Sequence, residues 1–165
     1  MKINKVLFTE NCLSSINIII DNYNIIKTEV GGSLVGYQLA DNLIVTHASD
    51  AGKNAKMSYN SIEIDGEYTT QYCNHLNELS NHRLYFLGDW HTHLSNNLNP
   101  SSSDLNAMKL LSRFVPEEYR DTLITVIFNH FDTKHFKVYC LNSDETLYQV
   151  TFSVIPNPYW IEDFI

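Results

Sequence analysis

The sequence predicts a single α/β domain spanning residues 1–165, with a mixed β-sheet flanked by helices. Three observations lead there. Segments with apolar residues at three- and four-residue spacing alternate with β-branched and aromatic segments of strand length, the pattern of layered α/β folds. Several strand segments are joined by connections short enough for hairpins, which puts antiparallel pairs into the sheet. A chain of 165 residues can bury about two thirds of its unfolded surface around one core, and no repeat, linker or low-complexity tract divides it.

Thr9 is placed to cap a first helix over about 10–23, in which Leu13, Ile16, Ile20 and Tyr23 form one apolar stripe. Residues 29–39 and 43–48 are β-prone and separated by Ala40-Asp41-Asn42, which suits an antiparallel hairpin. Residues 61–65 read as a third strand ended by Gly66. A second helix follows, with Tyr68, Tyr72, Leu76 and Leu79 on one face and its end near Asn81. Residues 83–93 read as a buried strand, which sends His91 and His93 to one face and Trp90 and Thr92 to the other. Beyond an asparagine-rich loop at 94–100, Leu105, Met108, Leu111 and Phe114 carry a third helix that Pro116 ends. Residues 122–129 and 135–141 form strands about a turn at Asp132-Thr133-Lys134, and 148–155 makes a last edge strand.

Composition removes several classes of function. The net charge of −8 repels phosphate backbones, which disfavours a nucleic-acid partner. Cys12, Cys73 and Cys140 lie far apart with no C-x-x-C pair, so neither a disulfide framework nor a cysteine zinc site is expected, and a reducing, cytoplasmic setting follows. The first residues lack the apolar stretch of a secretory leader, and Ile18-Ile19-Ile20 is too short to span a bilayer, so no membrane partner is expected.

The chemistry concentrates in HTHLSNNLNPSSSD, residues 91–104. Zinc takes imidazole nitrogens and carboxylate oxygens, and catalytic sites keep three protein ligands and leave a fourth position to water. His91, His93 and Asp104 supply that set, and two ligands one residue apart are what a strand end can present together. Zinc deaminases are excluded because neither H-x-E nor P-C-x-x-C occurs, and H-E-x-x-H is also absent.

His91-Thr92-His93, seven residues, Ser101, two residues and Asp104 resemble the H-x-H-x7-S-x-x-D signature of the JAMM metallopeptidases, also called the MPN+ or JAB domain. Upstream, Glu29-Val30-Gly31-Gly32-Ser33-Leu34-Val35-Gly36 resembles the family's glutamate-bearing strand with its trailing glycines, and the likeness extends over about residues 3–155. The resemblance implies the JAB/MPN, cytidine-deaminase-like fold, Zn2+ at His91, His93 and Asp104, Glu29 as general base and acid, and Ser101 as oxyanion donor. GDWHTH and PSSSD look most like the small bacterial branch. That likeness implies peptide or isopeptide hydrolysis that removes or processes a ubiquitin-like protein. The partner would be a ubiquitin-like protein or a protein conjugated at its C-terminus, with association to conjugation enzymes and a setting in antiphage (CBASS-type) operons. Leu94 departs from the proline that members commonly carry after the second histidine.

Each residue also has a plainer reading. His91 and His93 can be a hydrogen-bonded pair at a strand end, and Glu29 a solvated carboxylate. Gly31 and Gly32 either mark a strand start or bulge, or let backbone approach the metal or substrate. Ser102 or Ser103 can cap the third helix while Asp104 faces the metal. His47, His75, His82, His130 and His135 are assigned to surface or packing, and Glu63, Asp65 and Glu67 to a solvated edge. Two other functions stand beside the peptidase: a non-catalytic MPN-type binding or scaffold module, and a metal-dependent hydrolase of another substrate class.

Overall fold

The fold is described from a computed structural model covering residues 2–23 and 27–164. Its elements run β1 (Lys5–Thr9), α1 (Glu10–Asp21), β2 (Gly31–Leu39), β3 (Asn42–Ala48), β4 (Lys56–Met57), β5 (Ile62–Glu63), α2 (Gly66–Leu79) and β6 (Tyr85–His93). Then follow α3 (Ser102–Ser112), α4 (Glu117–Arg120), β7 (Ile124–Asn129), β8 (Asp132–Leu141), β9 (Leu147–Ile155) and a 3-10 turn (Tyr159–Phe164). The predicted mixed α/β class holds. β1 runs parallel to β3 and β9, β6 runs parallel to β7, and the remaining neighbours in the main sheet are antiparallel.

The sheet closes on itself in the order β1-β3-β2-β6-β7-β8-β9. This corrects the reading of residues 148–155 as an edge. β9 pairs with β8 on one side and with β1 on the other, so its backbone groups are used on both sides. The closing strand, KVLFT, went unread because a five-residue run beside a strong helix start carries little periodicity. Thr9 ends that strand and caps α1 as predicted, its hydroxyl accepting from the Cys12 N–H at 3.2 Å.

Inside the closed sheet lie Val6, Phe8, Leu34, Val45, Leu87, Trp90, Val126 and Phe128, packed against Cys12, Ile16 and Ile20 of α1. α2 covers another face through Cys73 and Leu76 against Val35 and Leu84. Its buried face is Thr69, Cys73 and Leu76, one step round from the predicted tyrosine stripe. Tyr68 and Leu79 are exposed, Leu76 of the predicted stripe is buried, and Tyr72 packs half-buried against the same cluster. α3 contributes Met108 to a smaller cluster with Leu123 and Leu141.

Three further boundaries moved. α3 stops at Ser112, and Pro116, predicted to end it, instead starts the short α4. Of residues 61–65 only Ile62–Glu63 is strand, paired with Lys56–Met57 outside the main sheet, while Asp65 caps α2 through the Tyr68 N–H. The turn predicted at 132–134 lies at His130-Phe131, and Asp132 already pairs with Asn129.

Candidate metal centre

β6 delivers two of the three candidate ligands. Strict alternation would put Leu87 and Trp90 on opposite faces, yet both lie in the inner core. The step is taken at Gly88, where β2 and β6 slip register and φ is +143°. A Cβ there would strike the Ile124 carbonyl, so only glycine fits. After this bulge Trp90 and Thr92 turn inward, fully buried, while His91 and His93 reach the outer face as predicted.

The third candidate ligand comes from the start of α3. The Asp104 Oδ1 lies 3.1 Å from His91 Nε2 and its Oδ2 3.1 Å from His93 Nε2, and the two Nε2 atoms are 3.3 Å apart. Each imidazole thus faces a different oxygen of the carboxylate, and with one donor atom taken from each residue the three lie within 4.8 Å of one another, close enough to share one ion. Donors on a tetrahedral zinc lie about 3.3 Å apart, the separation of the two Nε2 atoms. Among the described residues this is the group of His, Cys, Asp and Glu side chains that could hold a metal ion.

The protonation pattern points the same way. His93 Nδ1 lies 2.8 Å from the Asn97 carbonyl oxygen, which can only accept, so Nδ1 carries a proton. In the neutral ring Nε2 then presents a lone pair to a carboxylate at 3.1 Å, an arrangement that requires a proton or a metal cation between them. Without metal, the proton takes that place. Burial pushes both imidazoles down, and the Asp104 carboxylate outweighs it, leaving His91 and His93 above their ordinary value. Burial pushes Asp104 up, and hydrogen bonds from both rings, with the Ser101 N–H, carry it well below the usual carboxylate range.

Ser101 shapes Asp104 directly. Its backbone N–H donates to Asp104 Oδ2 at 2.8 Å and its hydroxyl oxygen accepts from the Asp104 N–H at 3.1 Å, a reciprocal capping box. Ser101, and neither Ser102 nor Ser103, is therefore the cap. An accepting hydroxyl keeps its own proton, so capping leaves Ser101 a donor.

Glu29 is buried, 6% exposed, just before β2. Burial pushes its carboxyl up, the charges of His91 and His93 pull it down, and Asp104 pushes it up again. The net position is above the ordinary value, and the carboxyl lies within electrostatic reach of all three candidate ligands. Gly31 pairs with His91, and a Cβ on it would meet the Trp90 carbonyl; one on Gly32 would strike the Ser49 carbonyl. Backbone packing thus accounts for both glycines. A groove of about 540 Å³ is lined by residues of α2 and of the α3–α4 segment, with Ser33 and Asp89, and has none of the candidate ligands, Glu29 or Ser101 in its lining.

Sequence reasoning missed Thr92 and His130, which lie directly behind the ligands, and Asn97, whose carbonyl sets the His93 tautomer. Only burial could have flagged the first two, and an asparagine-rich loop carries no signal for which carbonyl points inward. His82 and His135 are exposed and bond Asn77 and Asp132, in keeping with a surface role.

The sequence profile of the family described as JAB1/Mov34/MPN/PAD-1 ubiquitin protease matches residues 2–117. The chain belongs to the JAB family. A protein of Escherichia coli strain TW11681 named CD-NTase/cGAS isopeptidase is 33% identical over 81 residues, 49% of this JAB chain. The match spans about half, 52%, of that relative's length. The solution structure of protein DSY2949 from Desulfitobacterium hafniense superposes with a TM-score of 0.70 at 14% identity, covering 94% of this chain and 96% of the other, and so shares the fold. JAB chains usually hold a metal, and His91, His93 and Asp104 form the group that could hold one here.

Proposed function

We propose that this JAB chain is a zinc metallopeptidase of the JAMM type that cleaves a peptide or isopeptide bond to remove or process a ubiquitin-like protein. Family membership and the isopeptidase relative together support a hydrolase of isopeptide bonds. The observation that carries the reading is the convergence of His91, His93 and Asp104, from a strand end and a helix start, beside the buried Glu29. A zinc ion held there would acidify water and polarise the scissile carbonyl.

The remaining steps belong to the chain. Glu29, its proton affinity raised by burial, takes a proton from the attacking water and passes it to the leaving amine as the C–N bond breaks. The Ser101 hydroxyl, still holding its proton, donates to the oxygen that gains negative charge, a contribution of about 3 kcal/mol per donor in other enzymes. The groove between α2 and α3–α4 offers space for chain flanking the bond.

The relative's name suggests a CD-NTase or cGAS-like protein as the conjugate. The ubiquitin-like modifier, the antiviral setting and conjugation enzymes as associates rest on the resemblance of GDWHTH and PSSSD to the small bacterial branch. Three buried free cysteines fit a cytoplasmic setting, and among the described residues no helix is long and apolar enough to cross a membrane. The test is metal content together with cleavage of a ubiquitin-like fusion. About one zinc per chain, lost in His91→Ala, and cleavage stopped by chelator and restored by zinc are expected. Full cleavage by metal-free protein would refute the reading.

A further inference from the structure

We propose that Thr92, held by His130, is a positioning residue that fixes the Glu29 carboxylate against the metal ligands; the inference rests on the hydrolase reading above. Val30 directly follows Glu29, and both its backbone groups end on Thr92. Its carbonyl accepts the Thr92 N–H at 2.8 Å, and its N–H donates to Thr92 Oγ1 at 3.0 Å. Thr92 lies between the two histidine ligands, so the residue beside the base and the residue between the ligands form one hydrogen-bonded ring.

The Glu29 segment needs such a tie. It precedes the first paired residue of β2, and apart from Thr92 its backbone is anchored among the described residues by the Glu29 N–H on the Ser58 carbonyl, 2.7 Å away. Having accepted from Val30, the Thr92 hydroxyl has its own proton to donate, and His130 Nδ1 lies 3.1 Å from it. Nδ1 can accept only when the ring proton is on Nε2. That atom is buried and has no hydrogen-bond partner of normal geometry among the described residues, and the backbone of Tyr23, just past α1, bears on the ring. The His130 N–H donates to the His93 carbonyl at 3.0 Å, so His130 holds Thr92 through its ring and a ligand residue through its main chain. Glu29, Val30, Thr92 and His130 are all buried, where a bond cannot be replaced by water and linked bonds reinforce one another.

The test compares zinc-loaded wild type with Thr92→Val, which removes the hydroxyl at constant shape, Thr92→Ser, which keeps it, and His130→Asn, which keeps an acceptor near Nδ1. Zinc per chain, kcat and KM on a ubiquitin-like fusion, and exchange of the Val30 amide are measured. Thr92→Val is expected to keep its zinc and KM, lose roughly ten- to a hundredfold in kcat, the range seen for groups that orient a metal site, and speed Val30 exchange. Thr92→Ser and His130→Asn should recover most of both readouts. Wild-type kcat with wild-type Val30 protection in Thr92→Val would overturn the inference. So would equal losses in Thr92→Ser, which would assign the effect to packing, or loss of zinc in Thr92→Val, which would assign Thr92 to ligand geometry. If wild type cleaves nothing, the hydrolase reading fails, and Val30 exchange in the variants still decides the clamp.

Discussion

The two faces of β6 between Trp90 and His93 behave as different materials. Outward, His91 and His93 meet a carboxylate whose carrier, Asp104, sits on an exposed helix start. Inward, Trp90 and Thr92 have no solvent contact. The Trp90 Nε1–H donates to the Ser49 carbonyl at 2.9 Å and its ring stands edge-on to Phe128, while Thr92 bonds Val30 and His130. The difference teaches that the residues alternating with the ligands are not spacers. The H-x-H spacing is the period of a strand, and that period gives each ligand a buried neighbour that holds it still.

The comparison breaks most visibly at the outward face. His91→Ala should abolish zinc binding and bring cleavage to background, and because it also removes the buried His91–Asp104 pair, the metal-free variant should unfold more easily than metal-free wild type. Metal analysis and urea unfolding of the same samples check this; retained stoichiometric zinc would remove His91 from the ligand set. The inward counterpart is Trp90→Ala. It leaves every candidate ligand in place but empties a fully buried site, and a loss of about 3–5 kcal/mol in unfolding free energy is expected. A loss below about 1 kcal/mol would show that the inner face is not what holds the strand.

How far the sequence could reveal these faces depends on what each leaves in the letters. The placement of His91 and His93 at a strand end and the Thr9 cap were legible because period and capping chemistry are local. The bulge at Gly88 was not, since it is decided by the Ile124 carbonyl on β7, far away in sequence. Closure of the sheet through β1 and β9, the Thr92 to His130 bond, and the Thr69-Cys73-Leu76 face of α2 were hidden for the same reason: each depends on a distant partner. Glu29 stood out only through its resemblance to the family segment, as burial beside the histidines has no signature in one strand.

Smaller effects sharpen the picture at Asp104. Ser101→Ala should cost about 1 kcal/mol of stability through the lost cap and about a hundredfold in kcat if the hydroxyl also serves the oxyanion. A stability loss with unchanged kcat would leave Ser101 a cap alone. Without metal, raised His91 and His93 contribute stability that is fully present below their ordinary value of about 6.5 and is lost as pH rises through their raised folded-state values. Asp104, held low, contributes above the ordinary carboxylate value of about 4 and loses that contribution as pH falls through its lowered value. Metal-free protein should therefore be most stable between about pH 4 and 6.5 and weaken towards pH 8, where zinc, which binds neutral imidazole, adds most. Thermal unfolding with and without chelator at pH 6 and pH 8 reads this directly, and an equal metal increment at both pH values would contradict it.

The central claim is a division of labour, with His91, His93 and Asp104 holding the metal and Glu29 moving the proton. Glu29→Gln, loaded with zinc and given a ubiquitin-like isopeptide conjugate, tests it most directly. The expected result is about one zinc per chain, unchanged KM, and a kcat lower by about 10²–10⁴. Cleavage at the wild-type rate by the zinc-loaded variant would contradict the account.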